Sequence, residues 1–233
     1  MKTDIRNTQN LQPEEHVEKE IRQYVENEII PQYSQFDAAH REDHARMVIG
    51  QSMDIAGALD RREDLPYSID YDMVYVIAAM HDLGLRIDRK THHLESGRIV
   101  REEGKLKNWF SEEQIEVMAQ AVEDHRASSD HEPRSIYGKI VAEADRFIVP
   151  EKIIERTVQY GLAHYPDLDR EGQWLRTLEH LQAKYADGGY LRLWFPESPN
   201  HTRLEALRDI IRDENRLREI FNCIYSRLEE DCL

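Results

Sequence analysis

Five ionisable side chains fall on faces that the apolar spacing of this sequence turns inward. His44 shares a helical face with Met47, Val48, Gln51 and Ile55, at offsets of three, four, seven and eleven. His81 and Asp82 close the most apolar stretch of the chain, Met73 to Met80, shortly before Gly84. His125 follows Met118 by seven and Val122 by three, and Asp145 lies four after Val141 and three before Ile148. A carboxylate taken out of water alone is costly, so such groups are paired or given a metal. Imidazole nitrogens mixed with carboxylate oxygens suit Fe, Mn, Co, Ni or Zn better than Ca or Mg. The set therefore predicts a cage for a divalent transition metal.

The elements that must hold these residues read as helices almost throughout. Apolar spacing follows the helical period, and only 10 Gly and 8 Pro punctuate it, which predicts an all-α fold. Pro13 opens a first helix carrying Val17, Ile21, Val25 and Ile29, and Pro31 ends it. A second helix is expected from about Asp37 to Leu59. Ser68 or Asp70 caps the Met73–Met80 helix, which is apolar on every side and hence central. Ser111-Glu112-Glu113-Gln114 is a capping box that opens a helix through about Arg126. Further helices are expected over Ser135 to Val149, around Ile153 to Leu162, around Trp174 to Tyr185 with Gly188-Gly189 closing it, and from Thr202 to about Leu228. Tyr190 to His201 is the one stretch that reads otherwise, as a short strand or a lid.

Charge narrows the partners. With 31 Lys+Arg against 46 Asp+Glu the formal net charge is −15, which disfavours extended nucleic acid and anionic membrane surfaces. The longest apolar run, Met73 to Met80, is far short of the roughly 20 residues that span a bilayer. Cys223 and Cys232 are too few for a disulfide framework and nothing reads as a secretory signal, so a cytoplasmic location is expected. Two local basic clusters, one with Arg126, Arg134, Lys139 and Arg146 and one with Arg86, Arg89 and Lys90, suit a small anionic ligand.

His44, then His81-Asp82, then Asp145, in that order on successive helices, resembles the H…HD…D signature of the HD-domain superfamily. Ile77 to Gly84 resembles the apolar helix that leads into its HD dipeptide, and Ile140 to Arg146 resembles its closing helix ending in Ala-Asp. The resemblance covers roughly residues 36 to 150. It implies an HD-domain helical bundle there; the helical spacing beyond it predicts an extension over about 151–233 that completes a single all-α domain. His93-Leu94-Glu95-Ser96-Gly97 resembles the H-x-x-x-G element of members with two metals, and its glycine favours His93 over His92; His125 fits the other added histidine. The resemblance thus implies one metal on His44, His81, Asp82 and Asp145 and a second on Asp82, His93 and His125, with Asp82 bridging, one or two ions per chain. His16, His40, His131, His164, His180 and His201 read as surface residues.

What the resemblance implies for activity is a metal-dependent phosphohydrolase acting on a nucleotide or other small phosphate ester. Asp82 would orient the metals, Lys90 and Arg126 would neutralise charge building on the phosphoryl group, and Arg134 and Lys139 would clamp phosphate or nucleotide. Asp82 is followed by Leu83-Gly84-Leu85-Arg86 and not by the acidic pair of the stringent-response nucleotide hydrolases. Leu85 stands where HD-GYP cyclic-di-GMP phosphodiesterases carry Lys, their Gly-Tyr-Pro element is absent, and so is the longer motif of the deoxynucleotide triphosphohydrolases. Two other readings use the same residues: a di-iron oxygenase resembling inositol oxygenase, and a non-catalytic helical binding or regulatory module with a structural metal. A structural site is normally closed by four ligands and has no need of His93 and His125.

Overall fold

The apolar run folds as expected into a helix, Tyr71–Met80, and all of its residues from Met73 to Met80 are buried. Asp70 caps it by accepting from the Met73 N–H at 3.1 Å. In the computed structural model the described residues are 13–36, 41–62, 68–129, 131–196 and 198–230, and they hold helices and no strand. The chain divides into two compact units, Met1–Arg146 and Phe147–Leu233. None of the described helices is long and apolar enough to cross a membrane.

In the first unit, α1 (Lys19–Tyr24) runs into a π-helical turn (Val25–Ile29) and then a 3₁₀ segment (Ile30–Gln35). Then come α2 (Glu42–Asp60), α3 (Tyr71–Met80), α4 (His92–Glu102), α5 (Glu112–Glu123) and α6 (Ile136–Ala144). Helix α3 lies among α2, α5 and α6, while α4 packs on α5 and on a 3₁₀ turn, Leu83–Arg86. The expected start of α2 at Asp37 lies outside the described residues, as does His40. Pro31 does not end the first helical run. It sits in the first turn of the 3₁₀ segment, where a missing N–H costs nothing, and the chain stays helical to Gln35. The capping box of α5 is present with both its bonds, Gln114 N–H to Ser111 Oγ at 3.2 Å and Ser111 N–H to Gln114 Oε1 at 3.0 Å. Helix α5 stops at Glu123, and α6 stops at Ala144 and not at Val149, so His125 and Asp145 both sit just past helix ends.

The second unit holds α7 (Pro150–His164), α8 (Arg170–Tyr185), α9 (Pro199–Arg212) and α10 (Glu214–Glu230). Trp174 meets Phe221 edge-on with ring centroids 5.4 Å apart. The single closing helix expected from Thr202 to Leu228 is two helices. Asp213 breaks it at φ −92° and ψ 85°, and its Oδ1 accepts from the Arg216 N–H at 3.1 Å, the work of an N-cap. Gly188 takes φ +81° just past α8, a conformation that favours glycine.

Gly84 sits where α4 approaches the end of α3 too closely for a side chain. Its N–H donates to Ser96 Oγ at 2.8 Å, and a Cβ added to it would lie 2.1 Å from the His92 carbonyl oxygen and 2.7 Å from the Ser96 nitrogen. Gly84→Ala should therefore lower the unfolding free energy by about 1–3 kcal/mol. Gly50→Ala, in α2 with nothing within 4 Å of the new Cβ, should raise it by about 0.5–1 kcal/mol. Urea unfolding of the two variants checks the contrast, and equal midpoints would refute it.

Candidate metal centre

Every side chain of the inward set comes from a helix end. His44 sits in the first turn of α2, and His81 and Asp82 follow the last residue of α3. His92 opens α4, His125 lies two residues past α5, and Asp145 caps α6. Ends are where an apolar helix can place a polar group without interrupting its buried length.

Two groups of donors result, His44 with His81 and Asp145, and Asp82 with His92 and His125. His44 Nε2 is 3.2 Å from Asp145 Oδ1 and 3.3 Å from His81 Nε2. His92 Nε2 and His125 Nε2 are 3.3 Å apart. Asp82 faces both groups with different oxygens. Oδ2 lies 3.3 Å from His81 Nε2 and 3.6 Å from His44 Nε2, whereas Oδ1 lies 3.4 Å from His92 Nε2 and 3.5 Å from His125 Nε2.

Three of the rings are fixed in the same way. Nδ1 of His81, His92 and His125 bonds the backbone carbonyl three residues earlier, Ala78 at 2.8 Å, Arg89 at 2.9 Å and Val122 at 2.6 Å. A carbonyl only accepts, so each Nδ1 carries the hydrogen and each Nε2 of a neutral ring presents a lone pair. His92, His125 and Asp82 Oδ1 then turn three acceptors toward one point, an arrangement that repels until a cation or a proton joins it. Ring nitrogens oriented by a second hydrogen bond beside a shared carboxylate are a donor set that fits divalent transition metals.

The charges respond to this crowding. Burial pulls the His44 imidazole down, but the hydrogen-bonding carboxylates of Asp145 and Asp82 outweigh it and lift it to about 9. Burial pushes the Asp82 and Asp145 carboxyls up, and the imidazoles around them win, holding both below the usual carboxylate range. His92 goes down, through burial and the neighbouring His125.

The structure brings together His44, His81, Asp82, His125 and Asp145, and it brings His92, not His93, to the second group. His92 shares a face of α4 with Ser96, the face that meets Gly84. His93 shares a face with Gly97, and a Cβ on Gly97 would lie 2.5 Å from Glu123 Cγ. The glycine of the H-x-x-x-G element thus marks the contact of α4 with α5, one residue out of phase with the cluster. His93 instead has a buried Nδ1 without a hydrogen-bond partner and lines a cleft of about 730 Å³ with Arg126, Ser128, Ser129 and His131.

The cations divide. Arg126 donates from Nη1 to the Lys90 carbonyl at 2.8 Å and also lines the cleft; the Lys90 side chain is exposed. Arg134 is committed elsewhere, with Nη2 2.8 Å from Asp124 Oδ1 and 2.7 Å from Glu123 Oε2, and Lys139 Nζ lies 2.5 Å from Glu132. A clamp made of Arg134 and Lys139 would have to break these ion pairs. Tyr33 and Ser96 were not singled out in the sequence. The Tyr33 hydroxyl donates to the Ala79 carbonyl at 2.8 Å and accepts from the Asp82 N–H at 3.3 Å, and nothing in its surroundings along the chain signals that contact.

Comparison with protein-family models matches residues 41–149 to the HD domain, a family whose proteins bind divalent metals. No curated protein and no solved structure matches the chain.

Two expectations follow for metal uptake. Wild-type protein should take up two transition-metal ions per chain; His92→Ala should lose one of them and His93→Ala neither, by elemental analysis, and the reverse pattern would restore His93 as ligand. His44 is protonated below about 9 in the metal-free protein, so metal must displace that proton. Apparent affinity should then rise about tenfold per pH unit between about pH 6 and 8. Calorimetry in buffers of different ionisation enthalpy reads the released proton, and no release would contradict the assignment of His44.

Proposed function

Starting from the HD domain at residues 41–149, we propose that this chain is a metal-dependent phosphohydrolase acting on a nucleotide or another small phosphate ester. The observation that carries the reading is Asp82, whose two oxygens each face a separate histidine group at 3.3–3.6 Å. A metal pair in such a site supplies a water acidic enough to attack phosphorus near neutral pH and positive charge for the phosphoryl oxygens.

The chain's own residues do the rest. His81, His92 and His125 keep their hydrogens on backbone carbonyls, so their Nε2 atoms stay aimed inward throughout a turnover. Arg126, anchored on the Lys90 carbonyl and immediately after His125, offers its remaining donors to a phosphoryl oxygen from the cleft side. Lys90, exposed and two residues before His92, adds mobile positive charge at the mouth. The cleft along His93, Ser128, Ser129 and His131 takes the part of the substrate that is not transferred. A small, locally neutralised anion suits an otherwise acidic chain better than a long polyanion.

The test is a panel of p-nitrophenyl phosphate, its bis-ester and nucleoside mono-, di- and triphosphates, assayed with protein loaded in turn with manganese, iron, cobalt, nickel and zinc. Turnover of at least one ester is expected. Asp82→Ala should reduce it by about a thousandfold or more with the helical circular dichroism unchanged, and Arg126→Ala by about a hundredfold. Fully loaded protein that cleaves none of these esters would overturn the proposal, and oxygen uptake by the iron form would replace it with the oxygenase reading.

A further inference from the structure

Tyr33 is the largest fully buried side chain among the described residues, at 0% exposure, and it lies outside both histidine groups. It reaches α3 through an unusual run of backbone. The π turn Val25–Ile29 passes into the 3₁₀ segment Ile30–Gln35, with the Ile30 N–H bonded to the Val25 carbonyl five residues back. Tyr33, four residues after the buried Ile29, points inward, and its ring lies 6.5 Å from His81 and meets Phe36 edge-on at 5.2 Å. A π turn of this kind is commonly found beside functional sites.

The hydroxyl lands where α3 must stop. The last carbonyls of a helix and the first N–H groups beyond it need partners. At this end the Ala78 carbonyl accepts from His81 Nδ1 at 2.8 Å and the Ala79 carbonyl accepts from Tyr33 at 2.8 Å, while the Tyr33 oxygen accepts the Asp82 N–H at 3.3 Å. One oxygen thus joins the last turn of α3 to the backbone of Asp82. Asp82 itself sits at φ −109° and ψ 6°, in the sparsely populated bridge region that many active-site residues occupy. Its carboxylate must reach two groups at once, so a small rotation of this backbone would move one oxygen out of reach.

We propose that Tyr33 is a positioning residue for the shared carboxylate, its hydroxyl setting the backbone of Asp82 so that both histidine groups can be served by one side chain. The proposal rests on the metal-centre part of the functional reading and is indifferent to the reaction catalysed.

The experiment is a cobalt(II) titration of the full chain, read by the visible absorption of the ion, which reports ligand geometry. Wild type comes first: if it takes up no metal, the functional reading fails. With wild type binding two ions, Tyr33→Phe, which removes only the oxygen, should weaken cobalt binding by about 10- to 100-fold and alter the spectrum. Ile49→Val, a core change in α2 that also lowers stability, should leave both unchanged. Wild-type affinity and spectrum in Tyr33→Phe would overturn the proposal, and so would an equal loss in Ile49→Val, since that would reduce Tyr33 to general packing. Should Tyr33→Phe fail to fold, 3-fluorotyrosine at position 33 keeps the ring and the hydroxyl but makes that hydroxyl a weaker acceptor of the Asp82 N–H and a stronger donor to the Ala79 carbonyl. An unchanged cobalt spectrum there would overturn the proposal equally.

Discussion

A single carboxylate shared between two sets of imidazoles is the constraint on which the first unit is built. Asp82 can serve both sets only if its backbone is fixed, if the rings hold one tautomer, and if the chain on either side of it leaves room. Each condition is met by a different part of the fold. The apolar α3 buries the site at its C-terminal end, where polar groups do not interrupt the packed length. The i−3 carbonyls fix the rings. Gly84 lets the first turn of α4 come close enough to deliver His92, with the Ser96 hydroxyl accepting the Gly84 N–H in a contact that no side chain at position 84 would allow.

A second constraint comes from acidity. Glu123 and Asp124 directly precede His125, and free carboxylates there would compete for any cation drawn to the centre. They are held instead. Arg101 reaches Glu123 at 2.5 Å, and Arg134 bonds both carboxylates, including Asp124 through its backbone N–H at 2.7 Å. Arg134 thus neutralises both carboxylates that precede His125 in the chain. Such pairs are worth little as stabilisers when exposed, but Asp124 is buried and an unpaired charge at that position would be expensive.

How much of this could be read from the sequence follows from what kind of signal each residue carries. His44, Asp82, His125 and Asp145 are legible because an ionisable residue on an apolar stripe contradicts its surroundings. The choice of His92 over His93 was not, because Gly97 records the approach of α4 to α5, whereas the ligand's face is set by Gly84, eight residues before it. Asp213 reads as one more charge in a polar stretch until its side chain is seen capping α10. Tyr33 was hidden for a different reason: it is the next member of the series Val17, Ile21, Val25 and Ile29, but Pro31 reads as the end of that helix, and the 3₁₀ segment that carries the chain on to Gln35 has no signal of its own. Periodicity finds residues at odds with their face; it is blind to irregular backbone that carries a helical run past its expected end.

Exposure around the centre is uneven, and that unevenness bears on whether the site binds a substrate or only a metal. His81, His125 and Asp82 form a closed floor, with side chains 0, 2 and 5% exposed. His44, His92 and Asp145 are open at 17, 14 and 25%. The open residues come from the starts of α2 and α4 and the end of α6, so one side of the cluster faces outward between three helix ends. A metal kept only to hold a fold together is best surrounded on all sides by four protein ligands. Here five donors stand in two groups around the shared Asp82 carboxylate, deep on one side and partly exposed on the other. Arg126 follows His125 directly in the chain, and it lines a cleft together with His93, Ser128, Ser129 and His131.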